Sequence, residues 1–336
     1  MKFLALALCG FALDGGREVG AGPQDHGHVR GVTISCQTSG FEWGLEGFGR
    51  ELEELGGLGA NWVAIHPYAW IRSDGEVRHR LDPDRPPGWL THPLKEARAR
   101  GMSILIKPHL GYWGSKFRWR GEIHFEDAVE RARFWTGYTD WITTLTEIVG
   151  EADAICVGTE LDRMLEDPAP WRSLIAAVRA RTDARLTYAA NWDGYGRVSF
   201  WDALDAVGVQ AYFPLSEEPD PDVALLEAGW ERVLVPLREL HRRTGKPVVF
   251  TELGYNRSID AARTPWSDTP AASEDRAAAA ALQARCLRVG LKVIERESDW
   301  LRGAFLWKWF VGEPSRHDRS FYVDTPRMRA AIAEVW

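Results

Sequence analysis

Eight short runs rich in Val, Ile and Ala recur along the 336 residues, about one every 42, with a longer amphipathic stretch after each. They read VTIS (32–35), WVAIHP (62–67), SILIKPH (103–109), AICVGTE (154–160), RLTYAAN (185–191), GVQAYF (208–213), PVVFTEL (247–253) and GAFLWKW (303–309). Strands alternating with helices pair in parallel, because parallel neighbours need a crossover long enough to hold a helix. Eight such units close most economically into a single (β/α)8 TIM barrel, of class α/β, since closure leaves no unpaired edge. An open doubly wound sheet is the alternative. Its Gly-rich phosphate loop would follow a strand, whereas GGLGAN (56–61) precedes one and reads as a helix C-cap.

The stretches between the runs carry helix punctuation. DVALLEAGWERVLVPLRELHRRTG ends on cationic residues and Gly245, just before Pro247, and Pro236 inside it predicts a kink or a division. The longest helix is expected from about 271 to 297, and TPRMRAAIAEVW reads as a closing helix with Pro326 near its start. The polar segment 256–275, with Pro265 and Pro270, fits a long loop after the seventh strand, on the face where such barrels build their sites. The barrel is thus expected over 29–336. Residues 1–20 are set apart by KFLALALCGFAL (2–13), one Lys and an apolar run of signal-peptide length, which predicts a secreted or periplasmic protein; a mis-annotated start or a buried N-terminal strand, in a cytoplasmic protein, is the other reading.

Charge and cysteine usage narrow the function classes. With 41 Lys and Arg against 48 Asp and Glu, the formal charge is −7, and no basic run tracks a phosphate backbone, which argues against nucleic acid. No further apolar stretch is long enough to span a bilayer. Cys9, Cys36, Cys156 and Cys286 are scattered, and neither a CxxC pair nor a zinc-type His pair is present, so no disulfide framework or structural metal is implied. The chain holds 17 Trp, many beside polar residues, and flat indole faces suit the C–H faces of sugar rings as well as ordinary packing.

Working residues of a (β/α)8 barrel sit where strands end. The runs close on His66, His109, Glu160, Asn191, Tyr212, Glu252 and the pair Lys308 and Trp309. One strand-terminal carboxylate usually caps a helix or pairs with an Arg. Two, on the fourth and seventh runs, lie across the ring and would converge if both point inward. Period-2 alternation predicts this, grouping Cys156, Gly158 and Glu160 on one face and Val248, Phe250 and Glu252 on another. Two carboxyl groups about 5–5.5 Å apart are what retaining glycoside hydrolysis requires. One must stay ionised and the other protonated, so their surroundings must differ. Tyr212, on the neighbouring strand, is placed to donate its hydroxyl to Glu252. Lys107 alternates with Leu105 and His109 onto the inner face, as a sugar-hydroxyl donor or as a salt bridge that positions an acid such as Glu160. His66 is a ligand contact or a satisfied core histidine. Trp307 and Trp309 should share a face, with Trp309 nearest the mouth as a floor for the reacting sugar and Lys308 turned toward the helices or rim unless a bulge intervenes. Trp113, Trp119 and Trp192 are loop candidates for neighbouring subsites.

The segments CVGTEL (156–161), LTYAANWD (186–193), VQAYFPL (209–215), PVVFTELGY (247–255) and FLWKW (305–309), with IKPHLGYW and FRWRGEI between 106 and 123, resemble those of glycoside hydrolase family 113 from about Val32 onward. That family comprises β-1,4-mannanases of the large clan of retaining (β/α)8 glycosidases. The resemblance implies Glu160 as acid/base and Glu252 as nucleophile, no cofactor, and a β-linked oligo- or polysaccharide as partner. The wider clan has an Asn where Thr159 stands, which leaves recognition of the sugar 2-hydroxyl to Asn191 or His109. The expected activity is endo-β-1,4-mannanase by double displacement. An exo-mannosidase or transglycosylase on the same machinery, a non-catalytic glycan-binding barrel, and a metal-dependent barrel using His66, His109 and the glutamates are the alternatives.

Overall fold

The computed structural model describes residues 27–267, 275–315 and 319–336, so the expected signal segment at 1–20 lies outside it. Eight parallel strands close into a barrel: β1 (Val29–Ser35), β2 (Trp62–Ile65), β5 (Ser103–Ile106), β7 (Ala154–Thr159), β8 (Arg185–Asn191), β9 (Val207–Gln210), β10 (Val248–Leu253) and β11 (Leu301–Phe310). Around the ring the order is β1-β11-β10-β9-β8-β7-β5-β2, with β2 pairing back onto β1. The eight sequence runs thus become the eight staves, in chain order.

The second and third staves are shorter than their runs. Pro67 and Pro108 cannot donate to a ladder, and the strands stop just before His66 and Lys107. The chain then resumes as β3 (Tyr68–Ile71) and β6 (His109–Gly111), which with β4 (Val77–Arg78) form a small annex sheet of order β4-β3-β6. Bonds from Lys107 N to Ile65 O and from His109 N to Pro67 O, both 2.9 Å, carry the pairing across the breaks.

Seven α-helices are found among the described residues: α1 (Gly47–Gly57), α2 (Gly88–Ala99), α3 (Ala128–Val149), α4 (Pro168–Arg179), α5 (Val223–Thr244), α6 (Arg276–Arg296) and α7 (Pro326–Ala333). The crossover from β8 to β9 has only two 3-10 turns, at Tyr195–Arg197 and Trp201–Ala203. Pro236 does not divide α5. It lies on the exposed face, where water can meet the carbonyl that its missing N–H frees. The longest helices are α3 and α5, at 22 residues each, not the stretch expected from 271, because α6 begins only at Arg276 and has 21. Asp127, Asp222 and Thr325 cap α3, α5 and α7 by accepting from first-turn amides, and Gly245 ends α5 in the left-handed region at φ 67°.

Inside the barrel, Trp62, Ala64, Leu105, Cys156, Ala189, Val249 and Phe305 pack into one apolar plug, while a larger layer fills the space between strands and helices. The plug closes the lower barrel, so polar side chains gather at the opposite, C-terminal ends of the strands. No helix among the described residues is long and apolar enough to cross a membrane.

Candidate active site

Both glutamates reach the barrel mouth, but not by the alternation expected of them. In β7 the pairing with β8 slips between Cys156 and Thr159, and a Cβ on Gly158 would meet Trp171 and Tyr138 at 2.8 and 3.0 Å, on the helix side. Gly158 therefore does not share a face with Cys156. Glu160 turns inward because its backbone adopts φ 52°, a left-handed conformation uncommon outside glycine and one that tends to occur at functional sites. In β10, Phe250 faces outward and stacks on Trp230 of α5 at 5.8 Å, while Val249 belongs to the interior plug. A second slip, between Phe250 and Glu252, restores Glu252 to the inner side.

Beneath the mouth lies a polar network that joins the two acids. Glu252 is 3% exposed and forms an ion pair through Oε1 with the Lys107 ammonium, whose side chain is wholly buried. The Tyr212 hydroxyl donates to the other oxygen, Oε2, at 2.5 Å. The Gln210 side-chain oxygen accepts from Lys107 at 3.5 Å and from the Thr251 hydroxyl at 3.2 Å, and Gln210 also hydrogen-bonds Glu160. Arg120 donates to Glu160 Oε2 at 3.2 Å.

These surroundings give the acids different characters. Burial holds the Glu160 carboxyl above its ordinary range; Arg120 pulls it back, the Glu252 charge pushes it further up, and Gln210 and Lys107 pull back more weakly. Burial likewise disfavours the Lys107 ammonium, and pairing with Glu252 answers that only in part. The imidazoles of His66 and His109 are pushed well below their usual range, first by burial and then by neighbouring cations, so both are neutral. His109 Nε2 lies 3.7 Å from Glu252 Oε1.

Over this network opens a cleft of about 590 Å³ that is lined by Glu160, Glu252, His109, Asn191, Trp192, Tyr212 and Trp307. Trp307 is a half-buried floor, stacked on His109 with centroids 5.8 Å apart and with the Lys107 ammonium 4.7 Å from its ring centre. Trp192 stacks on Trp266 at 5.1 Å, and Trp119 also borders the space. Asn191 hydrogen-bonds Asp162, a carboxyl that burial raises and Arg197 partly lowers, and its side-chain oxygen accepts from Trp192 N.

Three expected contacts lie elsewhere. Trp309 is fully buried behind the barrel, its Nε1 donating to Glu51 of α1 at 2.7 Å and its ring covered by Arg329 of α7. The pairing of β1 with β11 explains this, since Val32 opposes Leu306 but Ile34 opposes Trp309, an extra residue that separates Trp307 and Trp309 onto different faces and brings Lys308 to the cleft. His66 sits one layer below the cleft, bonded to Ser35 Oγ at 3.0 Å and stacked under His109 at 4.8 Å. Trp113 stands 57% exposed on the annex side, stacked on Tyr112.

Gln210, Arg120, Tyr68, Asp162 and Trp266 join the site without having been singled out in the sequence. Gln210 left a trace, as a polar amide amid the sixth apolar run. Arg120 lies in FRWRGEI, one of the segments of the family resemblance, but periodicity does not mark it, because a 3-10 turn between β6 and α3 delivers it from far along the chain. Among the described residues no three His, Cys, Asp or Glu side chains gather as a metal site would require.

A closed (β/α)8 barrel whose mouth holds two glutamates above an indole floor defines the chain as a glycoside hydrolase. It belongs to Glycoside Hydrolase Family 113, whose profile matches residues 32–321. Its fold is similar to that of the GH113 β-mannanase AaManA from Alicyclobacillus acidocaldarius, solved in complex with ManMIm: TM-score 0.77 at 24% identity, covering 92% of this chain and 97% of that one. A second GH113 β-1,4-mannanase gives 0.76 at 21% identity, with coverages of 91% and 98%. A Family 5 mannosidase from Rhizomucor miehei is more distant, at 0.60 and 12%, with 92% of each chain covered. A search of curated protein sequences found no match.

Proposed function

We propose that the protein is a retaining endo-β-1,4-mannanase in which Glu252 is the nucleophile and Glu160 the acid/base. The observation that carries this reading is the unlike pair: one glutamate ion-paired with Lys107 and accepting from Tyr212, the other held toward its protonated form by burial, both lining one cleft. Glu160 gives its proton to the glycosidic oxygen while a Glu252 oxygen attacks the anomeric carbon, and the bond to the leaving sugar breaks. The resulting glycosyl ester is cleaved by water, which loses its proton to Glu160 as the Glu252 carboxylate departs. Lys107 and Tyr212 orient that carboxylate and share its charge at both stages. The mechanism calls for no cofactor.

Mannan as substrate is supported by membership of the family and by the β-mannanases that share the fold. Internal cleavage is supported by aromatic rings on both flanks of the reacting centre, Trp192 with Trp266 on one side and Tyr68 on the other. Export, which the apolar run near the N-terminus predicts, fits a polymeric substrate that cells meet outside the cytoplasm. The test is a panel of mannan, glucomannan, cellulose and xylan with NMR of the anomer first released. Turnover of mannan with the β-anomer appearing first is expected; an α-anomer first, or cleavage of xylan or cellulose in place of mannan, would overturn it.

A further inference from the structure

A second groove, of about 910 Å³, lies beside the cleft on the outer face of the annex sheet, and Tyr68 lines both spaces. On β3 the residues alternate in exposure, with Ala69 and Ile71 buried against the barrel and Tyr68 and Trp70 on the open side. Two residues along a strand advance about 6.6 Å, so the rings form a short ladder leading away from the reacting centre. Tyr68 pairs with His109 at its inner end, and Trp70 pairs with Gly111 at its outer end. Glycine is needed there, because a Cβ on residue 111 would lie 2.8 Å from the Trp113 ring and 3.2 Å from that of Trp70. Beyond Trp70 the groove continues to Trp89 and to Phe41, which is 64% exposed and meets Trp89 edge-on at 6.3 Å. Hydrogen-bonding groups rim the aromatic surface: His79, bonded to Asp140 at 2.9 Å, and the exposed Arg80.

The groove is walled by four aromatic rings, with Phe41 exposed and Tyr68, Trp70 and Trp89 half-buried. Its rings with polar edges, and its continuity with a glycosidase cleft through a shared tyrosine, point to one occupant. We infer that the groove is a distal glycan platform, on which a β-1,4-mannan chain reacting at Glu252 continues over Tyr68 and lies against Trp70, Trp89 and Phe41. The inference rests on the mannanase reading and extends it: the enzyme selects polymer over short oligosaccharide, by contacts remote from the bond it breaks. Binding energy gained there lowers KM for long chains, with little effect on chains too short to reach it.

Phe41→Ala and the double variant Phe41→Ala/Trp70→Ala test it against wild type, with mannotriose, mannohexaose and mannan as substrates. Phe41 is exposed, so its single variant reads out even if loss of Trp70 disturbs the annex. A stacking ring is worth up to about tenfold in affinity. The expected result is a fall of about that size in kcat/KM on mannohexaose and mannan for the double variant, carried by KM, a smaller fall for the single variant, and mannotriose turnover unchanged. A wild type that cleaves mannan, with variants that lose nothing or lose equally on all three substrates, would overturn the platform alone. A wild type inert on all three would overturn the mannanase reading and this inference together.

Discussion

Replacing Lys107 by Met keeps the side chain's length and apolar stem but removes the ammonium group, leaving the Glu252 carboxylate facing a neutral interior. The two side chains are 0% and 4% exposed, so solvent can supply little of the lost stabilisation. Removing one partner of a buried ion pair typically costs about 3–5 kcal/mol. Tyr212 still donates to Glu252 in the variant, which argues for the lower end, about 3 kcal/mol. Glu252→Gln strands the ammonium instead, but burial already favours its deprotonation, so that loss should be smaller. The double variant Lys107→Met/Glu252→Gln buries no charge at all and should fall within about 1 kcal/mol of wild type, giving a coupling of at least about 2 kcal/mol between the sites. Urea denaturation of the four proteins at neutral pH measures this. Losses that simply add, to within about 0.5 kcal/mol, would refute the claim that Lys107 and Glu252 stabilise each other.

Tyr212→Phe removes one hydrogen bond to the Glu252 carboxylate, and kcat on a mannooligosaccharide should fall about 10- to 100-fold, as expected for a bond to a charged group; a change under twofold would return Tyr212 to the rim. Trp309→Phe deletes the bond to Glu51 and should lower stability by about 2 kcal/mol while leaving turnover of short substrates intact, whereas a large loss of kcat would place Trp309 at the sugar after all. Because its folded-state titration point is raised, Glu160 contributes stability that is full below the ordinary glutamate value of about 4.3 and is lost as pH rises through the raised value. Melting temperatures of wild type relative to Glu160→Gln should therefore decline over that window, and a difference that rises with pH would contradict the assignment of burial as the dominant cause.

The barrel was legible because its signal is long-range and repetitive: eight apolar runs with helical crossovers survive any local misreading. The two glutamates were legible because each closes such a run. Simple alternation nevertheless does not aim them inward, since Gly158 and Phe250 both face the helices and local slips in pairing redirect the residues that follow. The same weakness misplaced Trp309, where one extra residue in β11 reverses the expected face. Alternation is reliable within a regular strand and fails at its C-terminal end, where bulges and left-handed residues gather and where a barrel places its chemistry. Pro67 and Pro108 did announce the breaks in the second and third runs, but not that the chain beyond them would pair into an annex sheet. Arg120 shows the remaining limit: its contact with Glu160 spans 40 residues and depends on the path of a loop, which periodicity does not encode.

The division of labour between the two glutamates is tested most directly by azide rescue with an activated mannoside. Glu160→Ala should turn over slowly, recover with added azide, and yield a mannosyl azide of the same anomeric configuration as the substrate, because azide then attacks a glycosyl ester that Glu252 has already formed. Rescue at Glu252→Ala alone, or an azide product of inverted configuration from the Glu160 variant, would contradict the assignment.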